Sequence, residues 1–224
     1  MGQGRWVAVA AGLAAAVAVV APAGAGVKAA ASDKAILKAA VLTSADVPST
    51  WVAAKQADSG SKNYKGIAAC KQIATAMDTA HRGPRALSPQ FSDPAPTSNA
   101  LAQDTVYAFK NVKAAQQYLA PYAASNAASC YQQAFNKAAR GQGQATVAPI
   151  TNLQGVGDQA VGYEATITGS DQNGQPVHVI ADVIGVRVGR GFVGFNFLNN
   201  NVVIPQGVAI VNGAVARLTS AVNG

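Results

Sequence analysis

The chain has 224 residues, of which 50% are hydrophobic and 12% charged, with a formal charge of +7. This suits one globular domain with a packed core once any targeting segment is removed. The excess charge is spread thinly: between Val27 and Arg85, nine Lys or Arg accompany four Asp, without the dense basic runs and interleaved aromatics of a nucleic-acid groove. It reads as a solvated basic face, with weak attraction to an anionic cell envelope as the lesser reading.

Residues 1–31 read as a signal peptide. One positive charge in Met1–Arg5 precedes an apolar run, Trp6–Ala21, and then "APAGAG", with Ala-x-Ala at Ala21/Ala23 and Ala23/Ala25. The run falls short of the roughly 20 residues of a spanning helix. "KAAAS" offers a second cleavage site after Ala31, so cleavage is expected between about residues 25 and 31. With no Cys near either site, lipidation of a new N-terminus is not expected. Residues 32–224 would then form a single exported domain.

Ser32 can cap a helix running to Leu42, after which Pro48 turns the chain and Trp51 is expected as a core anchor. A short helix is predicted around Ile67–Ala80. "HRGPRALSPQFSDPAPTSN", with four prolines, is expected to be a long surface loop. "DTVYAF" predicts a strand with Val106 and Ala108 facing away from Tyr107 and Phe109. Asn111 then caps a helix to about Ala139 that Pro121 should interrupt, placing Cys130 on its buried face. The strands "ATVAPI", "QAVGYEATIT", "PVHVIADVIGVRV" and "GFVGFNFLN" follow, with "GSDQNGQ" as a hairpin loop. Ile204, Val208, Val211, Val215, Leu218 and Val222 keep helical spacing in the last element, with Pro205 near its first turn. This order implies an α+β fold in which an antiparallel sheet packs against helices.

"GVRVGRGFVGFNF", Gly185–Phe197, could be a phosphate cradle or a hairpin. A cradle needs a glycine turn leading from a strand into a helix, whereas these glycines lead into another strand. A two-residue turn at Gly189–Arg190 would pair Val188 with Gly191, Val186 with Val193 and Ile184 with Phe195. Gly185 and Gly194 would oppose each other on the other face, leaving a shallow place for a backbone or ligand. Arg190 is expected at an exposed turn tip, where alanine would change stability by no more than about 0.5 kcal/mol. Arg187 falls on the face opposite Val186 and Val188.

Two cysteines in an exported chain, Cys70 and Cys130, imply one disulfide. Neither His81 nor His178 has ligand spacing to them, so no metal and no cofactor is expected. His178 and Asp182 lie four apart on a strand, roughly 13 Å, too far for a dyad. His81 falls in the Pro-rich stretch, no serine sits in a nucleophile elbow, and the single glutamate, Glu164, has no evident carboxylate partner. No catalytic residue is assigned.

"AVLTSADVPSTW", "TVYAFKNVKAAQQYL", the Cys in the following helix, "GVGDQAVGYEA" and "DVIGVRVGRGFVGFNF" before a final amphipathic helix resemble actinobacterial exported proteins with a PknH-like extracellular sensor domain. The resemblance covers most of residues 33–222. It implies an α/β sandwich of the PsbP-like kind, an extracytoplasmic location and a cleft that receives a ligand. That family often carries two disulfides, whereas this chain can form one, and no ligand residue carries over position by position. The resulting expectation is a secreted, monomeric, non-enzymatic ligand-binding or sensor-like module. Its partner would be an unidentified small molecule or envelope component. A secreted hydrolase with a loop-assembled active site is the alternative.

Overall fold

The computed structural model describes residues 31–58, 60–95, 98, 100–139, 141, 143–170, 175–200 and 207–224. The expected signal peptide up to residue 30, residues 171–174 of the expected hairpin loop, and Ile204 and Pro205 lie outside these residues.

The Ser32 hydroxyl accepts a hydrogen bond from the Ala35 amide at 3.2 Å and so starts helix α1 (Asp33–Ala40). After β1 (Val52–Ala54), two 3-10 turns, Gly60–Tyr64 and Ala68–Cys70, lead into α2 (Lys71–Ala80). Then come β2 (Arg85–Leu87), β3 (Gln90–Ser92) and β4 (Leu101–Ala108). Asn111 caps α3 (Val112–Leu119) by accepting from the Ala114 amide at 2.9 Å. Pro121 sits in a 3-10 turn, Ala120–Tyr122, that separates α3 from α4 (Ala127–Ala138). The chain continues through β5 (Gly143–Pro149), β6 (Gln159–Ser170), β7 (Pro176–Val188) and β8 (Gly191–Asn200) to α5 (Gly207–Asn223).

Among the described residues the eight strands form one antiparallel sheet. Its order is β1-β3-β4-β8-β7-β6-β5, with β2 paired to β4. Helices cover both faces. Alternation along the central strands builds two cores of different character. Val106, Val186, Val193 and Phe195 pack with Ile36 of α1 and Leu218 of α5 in an aliphatic core. Tyr107 and Phe192 face the other way, into an aromatic core under α2, α3 and α4. Arg217 pins α5 down: its Nε donates to the Ala39 carbonyl at 2.8 Å and its Nη1 to Asp46 at 2.7 Å.

The sulfurs of Cys70 and Cys130 are 2.09 Å apart, and both residues are fully buried. The bond joins the turn before α2 to α4 across 60 positions of sequence.

Several expectations need correction. The Pro-rich stretch is not all loop: Arg85–Leu87 pairs with Thr105–Tyr107, and Phe91, 1% exposed, enters the core from β3. Prolines at 84, 89 and 94 flank these short strands instead of interrupting them. Trp51 is only partly buried, packing on the rim of the aliphatic core. In α5 the period is right but the stripe is rotated: Val208 is exposed, while Ile210 and Ala214 join Val211, Val215 and Leu218 in the core.

The hairpin reading of Gly185–Phe197 holds in every pair. Val188 faces Gly191, Val186 faces Val193, Ile184 faces Phe195 and Gly185 faces Gly194. Gly189 adopts φ +53°, as the turn demands, and a Cβ there would lie 2.5 Å from Val222 Cγ1. The hollow over Gly185 and Gly194 holds the ring of Phe192, whose Cζ would be 2.9 Å from a Cβ at Gly185.

Arg190, in contrast, is not a free turn tip. Its guanidinium donates to Asp33 Oδ1 at 2.5 Å, to the Phe109 carbonyl at 2.7 Å and to the Ala31 carbonyl. Sequence-local reasoning placed it correctly in the turn but could not see partners 81 to 159 positions away. Arg190→Ala is therefore expected to cost about 2–3 kcal/mol, since charge-assisted hydrogen bonds to half-buried acceptors are lost. Gly189→Val should also destabilise, through positive φ and the Val222 contact. Denaturant unfolding checks both; a loss under about 0.5 kcal/mol for Arg190→Ala would return it to the surface-residue class.

Candidate functional site

Several hollows open among the described residues. The first lies beneath α2–α4 and is lined by all six tyrosines of the chain, Tyr64, Tyr107, Tyr118, Tyr122, Tyr131 and Tyr163. Tyr122 donates to the Tyr118 hydroxyl at 3.0 Å, and the Tyr163 hydroxyl donates to the Tyr122 carbonyl at 2.8 Å. Burial pushes the phenols of Tyr64 and Tyr107 up to about 12 and those of Tyr118, Tyr122 and Tyr131 well above the usual range, so they stay neutral. The cavity measures about 90 Å³, against the roughly 300–1,000 Å³ of ligand pockets. It is the packing residue of an aromatic core.

The second is a groove of about 700 Å³ between α2 and α3. Outward-facing side chains such as Lys71, Gln72 and Gln117 line it, and the Thr75 and Thr79 hydroxyls are already bonded to helix carbonyls four residues back. Lys71 and Lys110 give it a basic character, but none of the Lys, Gln and Thr side chains that line it is buried.

The third, about 520 Å³, opens on the opposite face between β6–β8, the segment 150–156 and the first turns of α5. Its walls are apolar, with Leu153, Ile184, Phe197 and Val211 prominent, and its floor carries Glu164 and Asp182. These two are direct partners in the β6–β7 register, with Cβ atoms about 5 Å apart by the geometry of such pairs. Asp182 is 8% exposed, and its buried Oδ1 accepts no hydrogen bond among the described residues. Burial, then the neighbouring Glu164, pushes the Asp182 carboxyl up to about 6. A buried acceptor without a donor is costly in a finished core. Asp182 is among the residues that line the cleft, while Oδ1 itself has almost no exposed surface.

Sequence reasoning therefore missed the partner of Glu164. The signal was present in the "GSDQNGQ" hairpin, but a connection of that length permits several registers, and a shift of the turn by one residue moves every partner by two. The remaining candidates lie elsewhere. His81 follows α2, with its Nδ1 3.8 Å from an Asp58 carboxylate oxygen and its ring packed near Tyr107, outside the residues that line the cleft. His178 lies on β7 opposite Thr168, outside the residues that line the cleft. Arg187 is buried at the far end of β7, donating to Asp158 at 2.9 Å and to the Gly189 carbonyl at 3.1 Å. Among the described residues no group of three or more His, Cys, Asp or Glu could hold a metal ion, and no helix is long and apolar enough to cross a membrane.

No family model matches the chain, and no curated protein matches it. Among solved structures it is similar to the crystal structure of the extracellular domain of PknH from Mycobacterium tuberculosis, with a TM-score of 0.52. The fold is that of the PknH extracellular domain. The superposition covers 86% of this chain and 98% of the PknH domain at 12% sequence identity. At that identity the likeness speaks for the arrangement of strands and helices, while side chains in the cleft are this chain's own.

Proposed function

We propose that the chain is an extracytoplasmic, non-enzymatic sensor-like module that binds a small ligand in the cleft between β6–β8 and α5. The facing Glu164 and Asp182 carboxyls, both in the lining of a largely apolar cleft big enough for a ligand, carry this reading. The fold shared with a kinase's extracellular domain supports the sensor-like part, and the signal-like residues 1–31 support export. Screening a small-molecule library against the ¹⁵N-labelled chain tests it. Hits are expected to move the amide resonances of Asp182, Ile184, Phe197 and Val211 and to leave Tyr118 in place. Hits gathered around the tyrosines, or none at the cleft, would count against it.

One observation favours a second reading, hydrolysis. Two facing carboxylates, one of them protonated near pH 6, are the minimal equipment for cleaving a glycosidic bond. Turnover of fluorogenic glycosides that disappears in both Asp182→Asn and Glu164→Gln would favour the hydrolase over the binding module.

A further inference from the structure

Resting on the binding reading of the β6–β8 cleft, we propose that its ligand is an amphiphilic organic cation, a protonated amine seated between Glu164 and Asp182 with an apolar body against Ile184, Phe197 and Val211. Three observations converge on that class. The two carboxylates face each other across one strand pair, and every other described residue lining the cleft, from β7, β8, α5 and the segment 150–156, is neutral. Among the described residues no lysine or arginine lines it, so the negative charge is left without a counter-ion there. Asp182 Oδ1, with almost no exposed surface, accepts no hydrogen bond among the described residues, so the carboxyl's charge is not offset from within, and an ammonium group, which offers only donors, would meet that carboxyl from the cleft it lines.

The walls decide between an organic cation and a metal ion. A hard divalent cation takes six or more oxygen ligands, whereas the lining brings only two carboxylates, with the side-chain amides of Asn152, Gln154 and Asn212 set among aliphatic and aromatic surfaces. An alkyl or aryl chain attached to the amine would bury those surfaces at the same time as the charge is neutralised. Asn152 and Asn212, also in the lining, supply neutral polar groups within the cleft.

Hexylammonium is a suitable probe, with hexan-1-ol and hexanoate as neutral and anionic counterparts of the same length and calcium chloride as the metal arm. Binding to the ¹⁵N-labelled chain is followed at the amides of Glu164, Asp182, Phe197 and Val211. At pH 7.5 hexylammonium is expected to bind at least about tenfold more tightly than hexan-1-ol, and hexanoate more weakly than either. Asp182→Asn should abolish the preference and Glu164→Gln should reduce it, each variant keeping an unshifted Tyr118 region as proof of folding. Lowering the pH through about 6, where Asp182 takes up its proton, should erode the preference in the parent chain.

Equal binding of hexan-1-ol and hexylammonium, unaltered by either variant, would overturn the cation while leaving a cleft that binds apolar molecules. Calcium binding without hexylammonium binding would overturn it in favour of a metal. If no probe moves the cleft amides, the cation falls, and the library screen decides separately whether the cleft binds at all.

Discussion

Replacing Cys70 and Cys130 together by alanine is expected to lower the stability of the fold by about 4 kcal/mol, the chain-entropy value for releasing a loop of 60 residues. The bond contributes chiefly by restricting the unfolded chain, because the native geometry around it is held by other contacts as well. Both cysteines lie in the aromatic core with Ile73, Leu119 and Tyr131, so α2 and α4 still have an apolar surface to share when the sulfurs are gone. Alanine is the informative replacement, since serine would bury a hydroxyl with no assigned partner. For a domain whose total stability is about 5–15 kcal/mol, the loss is a large fraction. Urea unfolding of the double variant beside the parent measures it, and the same loss should follow when the parent is unfolded in excess reductant. A difference below about 1 kcal/mol in both experiments would mean that the crosslink is incidental.

The second large effect has the opposite sign. Asp104→Asn is expected to stabilise the protein above neutral pH by about 1–3 kcal/mol and to do little below about pH 4. Asp104 lies in the middle of β4 with no exposure at all. Its Oδ1 accepts from the Leu42 amide at 3.3 Å, while Oδ2 has no partner among the described residues. Burial pushes its carboxyl up to about 7, against partial relief from hydrogen bonding to Ser88 and Leu42. Because the folded form holds the proton more tightly than the unfolded chain, the stabilising contribution is complete below the unfolded value near 4. It is lost as the pH rises through about 7. A shift of about three units corresponds to about 4 kcal/mol at alkaline pH. Asparagine removes the charge and keeps the acceptor for Leu42, but its amide brings an unpaired donor that offsets part of the gain. Unfolding midpoints of both proteins from pH 4 to 8.5 give the test. Curves that run parallel across that range would show that Asp104 does not titrate there.

What the sequence disclosed depended on how far each feature reached along the chain. The β7–β8 hairpin was legible to the residue because a two-residue turn admits one register, and alternation then orders every side chain on both strands. Helix starts at Ser32 and Asn111, and the break at Pro121, followed from local chemistry in the same way. The short strands β2 and β3 were hidden because prolines beside a short strand resemble prolines in a loop, and only pairing with β4 and β1 distinguishes the two. The facing of Glu164 and Asp182 depended on a longer connection whose register local signals leave open. The partners of Arg190 are assembled from three distant segments and have no local signature.

The way Arg217 fastens α5 gives the helix unequal ends. One stretch is moored to α1 through the Ala39 carbonyl and to Asp46, while the stretch around Gly207 and Val211 forms a wall of the cleft. Behind the sheet, the disulfide and the close-packed rings leave little slack, so the strands act as a rigid backstop. A guest in the proposed cleft would therefore rest against the sheet on one side and, on the other, against the turns of α5 farthest from the Arg217 mooring.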